Sequence, residues 1–173
     1  MPKAKTKAKS KAGFEAKPKS AARVARGSRT SRARARPVTR TKRQARPSQK
    51  FTASHFRQSD FRAGLRTYAA YRDLGTSQAT HGLVQAHVIR FIPPCRPEEV
   101  SKLHYHDVEF QMVYVLKGWI KTEFDGEGAI VMQAGSCWIQ PPRIKHKVLD
   151  YSDDCEVLEI IVPADFKTVE LTK

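Results

Sequence analysis

From about residue 69 onward, apolar and polar positions alternate in short runs that turn residues interrupt, and no long stretch keeps a helical period. The run LVQAHVIRFI (83–92), rich in Val and Ile, predicts a strand that stops at Pro93-Pro94. FQMVYVLKGWIKTEF (110–124) predicts a long strand region broken at Gly118. DGEG (125–128) reads as a hairpin turn, because Asp-Gly supplies the positive φ angles that tight hairpins require. AIVMQ (129–133) resumes the strand pattern and Gly135 marks another turn. SCWIQ (136–140), ending at Pro141-Pro142, then IKHKVLDY (144–151) and EVLEIIVP (156–163) complete the series. Residues 51–68 are ambiguous: Asp60 is a candidate cap for a short helix starting at Phe61, and Gly64 argues against that helix. Short strands at this spacing predict an all-β sandwich or barrel over residues 69–173, preceded by a linker or short helix at 51–68.

Charge divides the chain in two. The formal net charge of +15 is not spread evenly. Residues 1–50 hold 18 Lys and Arg against one acid, Glu15, which gives +17; residues 51–173 hold 14 against 16, which gives −2. Residues 1–50 mix Lys, Arg, Ala, Ser, Thr and Pro with almost no large apolar side chains. Such a segment cannot bury enough surface to offset its ordering entropy, so a disordered basic tail is expected. A tail of this charge suits sequence-independent contact with nucleic acid or another polyanion, driven by counterion release and weakened by salt. Phe14 is its only aromatic residue, which argues against single-strand stacking. An Arg-rich, Ser-rich, acid-poor leader also fits an organelle-targeting peptide, although its Lys-rich start fits less well. Three cysteines without a C-x-x-C pair argue against a disulfide framework and fit a reducing cytoplasm. The sequence has no apolar run long enough to span a membrane, and no secretory signal is expected at its start.

The candidate chemistry begins at HYHDVEFQMVYVLKG (104–118). On a strand, His104 and His106 project to the same face. Two imidazoles buried side by side need hydrogen-bond partners or a shared cation, and H-x-H on a strand lets both reach one ion. Surface histidines are the plain alternative. A strand beginning near Glu109 would put Glu109, Gln111, Val113 and Val115 on one face, closing over the same place. His146, entering a strand after Pro141-Pro142, would add a third imidazole.

These residues resemble the two motifs of a small single-domain cupin. The first motif, G-x5-H-x-H-x(3,4)-E-x6-G, is matched by His104, His106 and Gly118, with Gln111 where the acid stands and Glu98 where the leading glycine stands. The second, G-x5-P-x-G-x2-H-x3-N, is matched by Gly135, Pro141 and His146, with Arg143 for the glycine and Asp150 for the asparagine. The resemblance covers about residues 68–165. It implies a double-stranded β-helix, a jelly-roll barrel, with one divalent transition metal (Mn, Fe, Ni or Zn) held by His104, His106, His146 and Gln111. An amide in place of the acid would leave the ion's charge uncompensated, a stronger Lewis acid for anionic or chelating oxygens. Glu109 is the reserve candidate, as fourth ligand or general base. Arg143, beside His146, is a candidate fork for a substrate carboxylate or phosphate. The resemblance also implies a homodimer.

Among the remaining residues, Cys137 reads as a small buried hydrophobe and His87 as a satisfied sheet histidine. Tyr105, Tyr114, Trp119 and Trp138 are expected to pack the barrel or an interface, with one of them able to wall the pocket. Two functions follow. One is a metal-dependent enzyme, an isomerase, lyase or dioxygenase, acting on a small polar and in some cases phosphorylated molecule. The other is a non-enzymatic ligand-sensing module whose tail grips a polyanion. A storage role fits poorly with an intact histidine trio.

Overall fold

The structure is a computed structural model that describes residues 46–171. The tail reading falls on residues 1–50, most of which lie outside the described residues. Alternation decides the strands. In β5 (Phe110–Lys117), Gln111, Val113 and Val115 are buried while Phe110, Tyr114 and Leu116 are exposed. The same two-residue rhythm shapes β3 (Gln85–Phe91), β6 (Trp119–Phe124) and β10 (Glu156–Val162). The remaining strands are β1 (Arg62–Ala63), β2 (Ala69–Asp73), β4 (His104–Asp107), β7 (Gly128–Gln133), β8 (Cys137–Ile139), β9 (His146–Tyr151) and β11 (Lys167–Glu170). Two one-turn helices, α1 (Thr76–Ala79) and α2 (Pro97–Val100), interrupt them.

The strands form two antiparallel sheets, β1-β2-β3-β10-β5-β8 and β11-β4-β9-β6-β7. Their inner faces share one core, in which Phe91, Val113, Val115 and Val157 of the first sheet meet Ile120, Phe124, Met132 and Tyr151 of the second. Burying a side chain the size of Val115 or Ile161 contributes about 1.5–3 kcal/mol. Gly118 is where the chain leaves the first sheet for the second. Its φ is +62°, and a Cβ there would meet Ser152 Oγ, Asp154 Oδ1 and, at 3.2 Å, the Cys155 backbone. The region 110–124 is therefore two strands in different sheets. The 125–128 turn closes the β6–β7 hairpin, with Phe124 opposite Gly128.

The expected helix at Phe61 is absent. Gln58–Asp60 form a single 3₁₀ turn, Asp60 ends it without capping anything, and β1 follows. The first sheet thus begins inside the predicted linker. Gly64 lets this edge approach the barrel, since a Cβ there would collide with the Tyr71 ring. Residues 46–57 run as extended chain along the domain: Lys50 N–H donates to Ala79 O, and Arg72 donates to Ser54.

Candidate metal centre

The second sheet assembles the three histidines by register. In the β4–β9 pair, His104 lies directly opposite His146. His106, two residues along β4, shares their face. Ring centroids are 4.3 Å apart for His104–His146 and 5.1 Å for each of the other two pairs. One ligand atom from each ring lies within 4.8 Å of the others.

Their Nδ1 atoms are occupied. His104 donates Nδ1–H to Lys102 O at 2.7 Å, and His146 donates to Ile144 O at 3.0 Å. His106 Nδ1 bonds Thr168 Oγ1 of β11 at 2.9 Å. A carbonyl only accepts, so the tautomer of His104 and His146 is fixed with Nε2 unprotonated, and at His104 that lone pair remains for a ligand. At His146 that lone pair accepts from Gln140 Nε2 at 2.8 Å. Burial disfavours the imidazolium in all three rings. It lowers His104, takes His106 to about 4 and His146 to about 3, the last two helped by neighbouring histidines. At neutral pH the three are uncharged, the form a transition metal requires.

The first sheet supplies what the motif lacked. Glu159 on β10 lies opposite His87 on β3, and His87 Nε2 to Glu159 Oε2 is 2.6 Å. The other carboxylate oxygen accepts from Gln111 Nε2 at 2.6 Å. Gln111 Oε1 in turn accepts from Gln140 at 3.2 Å, and Trp138 Nε1–H donates to Gln140 Oε1 at 3.3 Å. A chain of polar contacts therefore runs from His87 through Glu159, Gln111 and Gln140 to His146, joining the sheets. Burial tends to raise the Glu159 pKa, but the bond and charge of His87 outweigh it and hold the carboxyl below its usual range.

Both groups face one cavity of about 320 Å³. Its other walls are mostly apolar and aromatic, among them Tyr71, Phe91, Val113, Trp138 and Phe166, with Arg66 as an added cation.

The structure brings together His104, His106 and His146, but it places the other three candidates elsewhere. Gln111 is buried behind Glu159 and Gln140, with both ends of its amide engaged, and it does not line the cavity. Glu109 precedes β5 on the outside: it is exposed, its N–H donates to Val162 O, and it lines a separate groove. Arg143 is exposed, at φ +63°, and donates to the Tyr105 hydroxyl over whose ring it lies. Tyr105 alternates with His104 and His106, so this pair belongs to the outer face of β4. The carboxylate at the cavity is Glu159, whereas the sequence reading looks to Glu109 for one. Cys137, expected to be buried, is exposed, because Trp138 beside it takes the inward position. His87 is satisfied by Glu159, as a sheet histidine should be, yet it also lines the cavity.

Sequence reasoning missed Glu159, Gln140, Thr168 and Arg66. For Glu159 a signal existed: Val157, Glu159 and Ile161 share one strand face, and an acid between two core residues marks a buried carboxylate. Thr168 and Arg66 gave no signal, because they enter from segments far away in sequence.

Residues 95–161 match the family model described as a cupin domain. No curated protein matches the chain in sequence. Several solved structures resemble it. The polyketide cyclase RemF of Streptomyces resistomycificus aligns with a TM-score of 0.55 at 14% identity, over 69% of this chain and 86% of that one. An RmlC-like cupin of Shewanella frigidimarina gives 0.51 at 19% identity, over 68% and 96%. An oxalate decarboxylase of Lactobacillus farciminis gives 0.52 at 16% identity, over 67% of this chain and 35% of that one. At such identities the likeness concerns the fold. The family match over residues 95–161, the two-sheet barrel and the inward-facing histidines agree on a cupin domain within this chain.

Proposed function

We propose that this protein is a metal-dependent cupin enzyme acting on a small organic molecule inside the barrel. The observation that carries this reading is the convergence of three neutral imidazoles, Nδ1 atoms engaged, on one face of a cavity. Their Nε2 atoms fit one divalent transition metal, and the donor set leaves positions for substrate oxygen. Such an ion would supply Lewis-acid polarisation or, for a redox metal, oxygen chemistry. Lys102 O, Ile144 O and Thr168 hold the rings in orientation. Glu159 and His87 share a proton between Oε2 and Nε2, which makes this pair, rather than Glu109, the acid–base candidate. Gln111 and Gln140 transmit its position to His146. Two of the similar structures are named as a cyclase and a decarboxylase, which supports an enzymatic reading without fixing the reaction.

The charge split favours one further reading, a ligand-sensing cupin with a polyanion-binding tail. A homodimer through the outer face of the first sheet draws support from exposed Phe110, Tyr114, Leu116 and Ile139.

The test is metal content. Untagged protein is expected to carry about one divalent ion per chain, and His104→Ala to lose it. Equal metal in both would remove the site. Removal of residues 1–45 should leave metal and turnover in an enzyme and abolish target binding in a tail-dependent regulator.

A further inference from the structure

Arg66 sits in the loop between β1 and β2, and its side chain is only 10% exposed. It lines the same cavity as the three histidines. Its Nη1 is held by Glu170, the β11 residue that lies opposite His104. Its Nη2 is fully buried, and among the described residues no acceptor reaches it. A guanidinium anchored on one side and unsatisfied on the other keeps a spare donor for an anion, since every buried N–H seeks an acceptor.

We propose that the Arg66 guanidinium binds the carboxylate of the substrate, and that the substrate is a small monocarboxylate with an apolar, ring-sized body. This rests on the reading of the cavity as the substrate site. The aromatic walls, Tyr71, Phe91, Trp138 and Phe166, accept a flat apolar group. The carboxylates already present select the charge. Glu170 takes one half of the Arg66 fork, and Glu159 on the cavity wall is already engaged by His87 and Gln111, which leaves Arg66 as the group for an incoming anion. With half of the fork taken, the one free donor suits a singly charged carboxylate. Arg66 thus takes the anchoring role that its position denies Arg143.

Benzoate and its neutral isostere benzamide serve as probes. Their binding is measured by calorimetry on the full chain as purified, with metal content read on the same samples. Wild type should prefer benzoate at least tenfold. Arg66→Gln should abolish that preference, Arg66→Lys should restore part of it, and His104→Ala should retain it. Glu170→Gln, which frees the second guanidinium nitrogen, should tighten benzoate binding several-fold; it also decides the question should Arg66→Gln fail to fold. Equal binding of the two probes to wild type overturns the proposal. So does a preference that survives Arg66→Gln, or one that disappears only in His104→Ala, which would assign the carboxylate to the metal. An Arg66-dependent preference in protein free of metal would refute the metal reading and leave this one standing. No effect of Glu170→Gln on benzoate affinity would also count against it.

Discussion

At the scale of single residues, this barrel relocates its acid. Gln111 occupies the position where the cupin motif has a carboxylate, and its amide instead bridges Glu159 and Gln140. Negative charge is thus supplied from β10 rather than β5. Glu159→Gln is expected to leave the three histidines in place while lowering metal affinity roughly tenfold. That is the effect typical of losing a group that orients a ligand from behind. Titration against a competing chelator checks this, and an affinity unchanged from wild type would show that the polar chain to His146 carries no influence. The presence of the histidines was legible in H-x-H and in the third imidazole after Pro141-Pro142. Glu159 was legible in principle, as an acid on an apolar strand face. Arg66 was not, because nothing in FRAGLRTY distinguishes a solvated arginine from a buried one.

At the scale of elements, the strands were readable because a period of two reflects a face packed on a core. Their assignment to sheets was not. Residues 110–124 read as one strand region, yet the chain crosses between sheets at Gly118. Two glycines allow that crossing to be tested. Gly118 and Gly126 both have positive φ, but a Cβ at Gly126 meets nothing within 4 Å, whereas one at Gly118 meets Ser152, Asp154 and the Cys155 backbone. Gly126→Ala is expected to cost about 1 kcal/mol and Gly118→Ala roughly 2–5 kcal/mol, the excess arising from overpacking. Denaturant unfolding of both variants measures the difference. Equal losses would mean that the neighbours of Gly118 yield freely.

At the scale of the whole molecule, the two sheets hold neutral imidazoles away from bulk water, and this couples stability to pH. In the unfolded chain each histidine binds a proton near pH 6.5. In the folded protein His106 does so only near 4 and His146 near 3, and His104 is lowered in the same direction. Between these limits the unfolded state holds more protons, so stability is full above about pH 6.5 and declines as pH falls toward 4. Glu159, also depressed, extends the loss below the usual carboxyl range. Chelator-treated protein should therefore show a thermal midpoint that drops by several degrees from pH 7 to pH 4.5. His106→Gln should show a shallower drop. A midpoint independent of pH over that range would contradict burial of neutral rings. No helix among the described residues is long and apolar enough to cross a membrane.

The sequence alone determined the strand rhythm, the separation of a strongly basic segment from a near-neutral domain, and the histidines that resemble the cupin motifs. Those features are local: periodicity, composition and spacing can be read along one dimension. Only the tertiary structure decided the register that sets His104 opposite His146, the inward turn of Glu159, and the approach of Arg66 and Thr168 from opposite ends of the domain. It likewise turned Glu109 and Arg143 outward. Which face of a strand meets the cavity depends on pairing between segments far apart in the chain, and a shift of one residue would reverse every side chain.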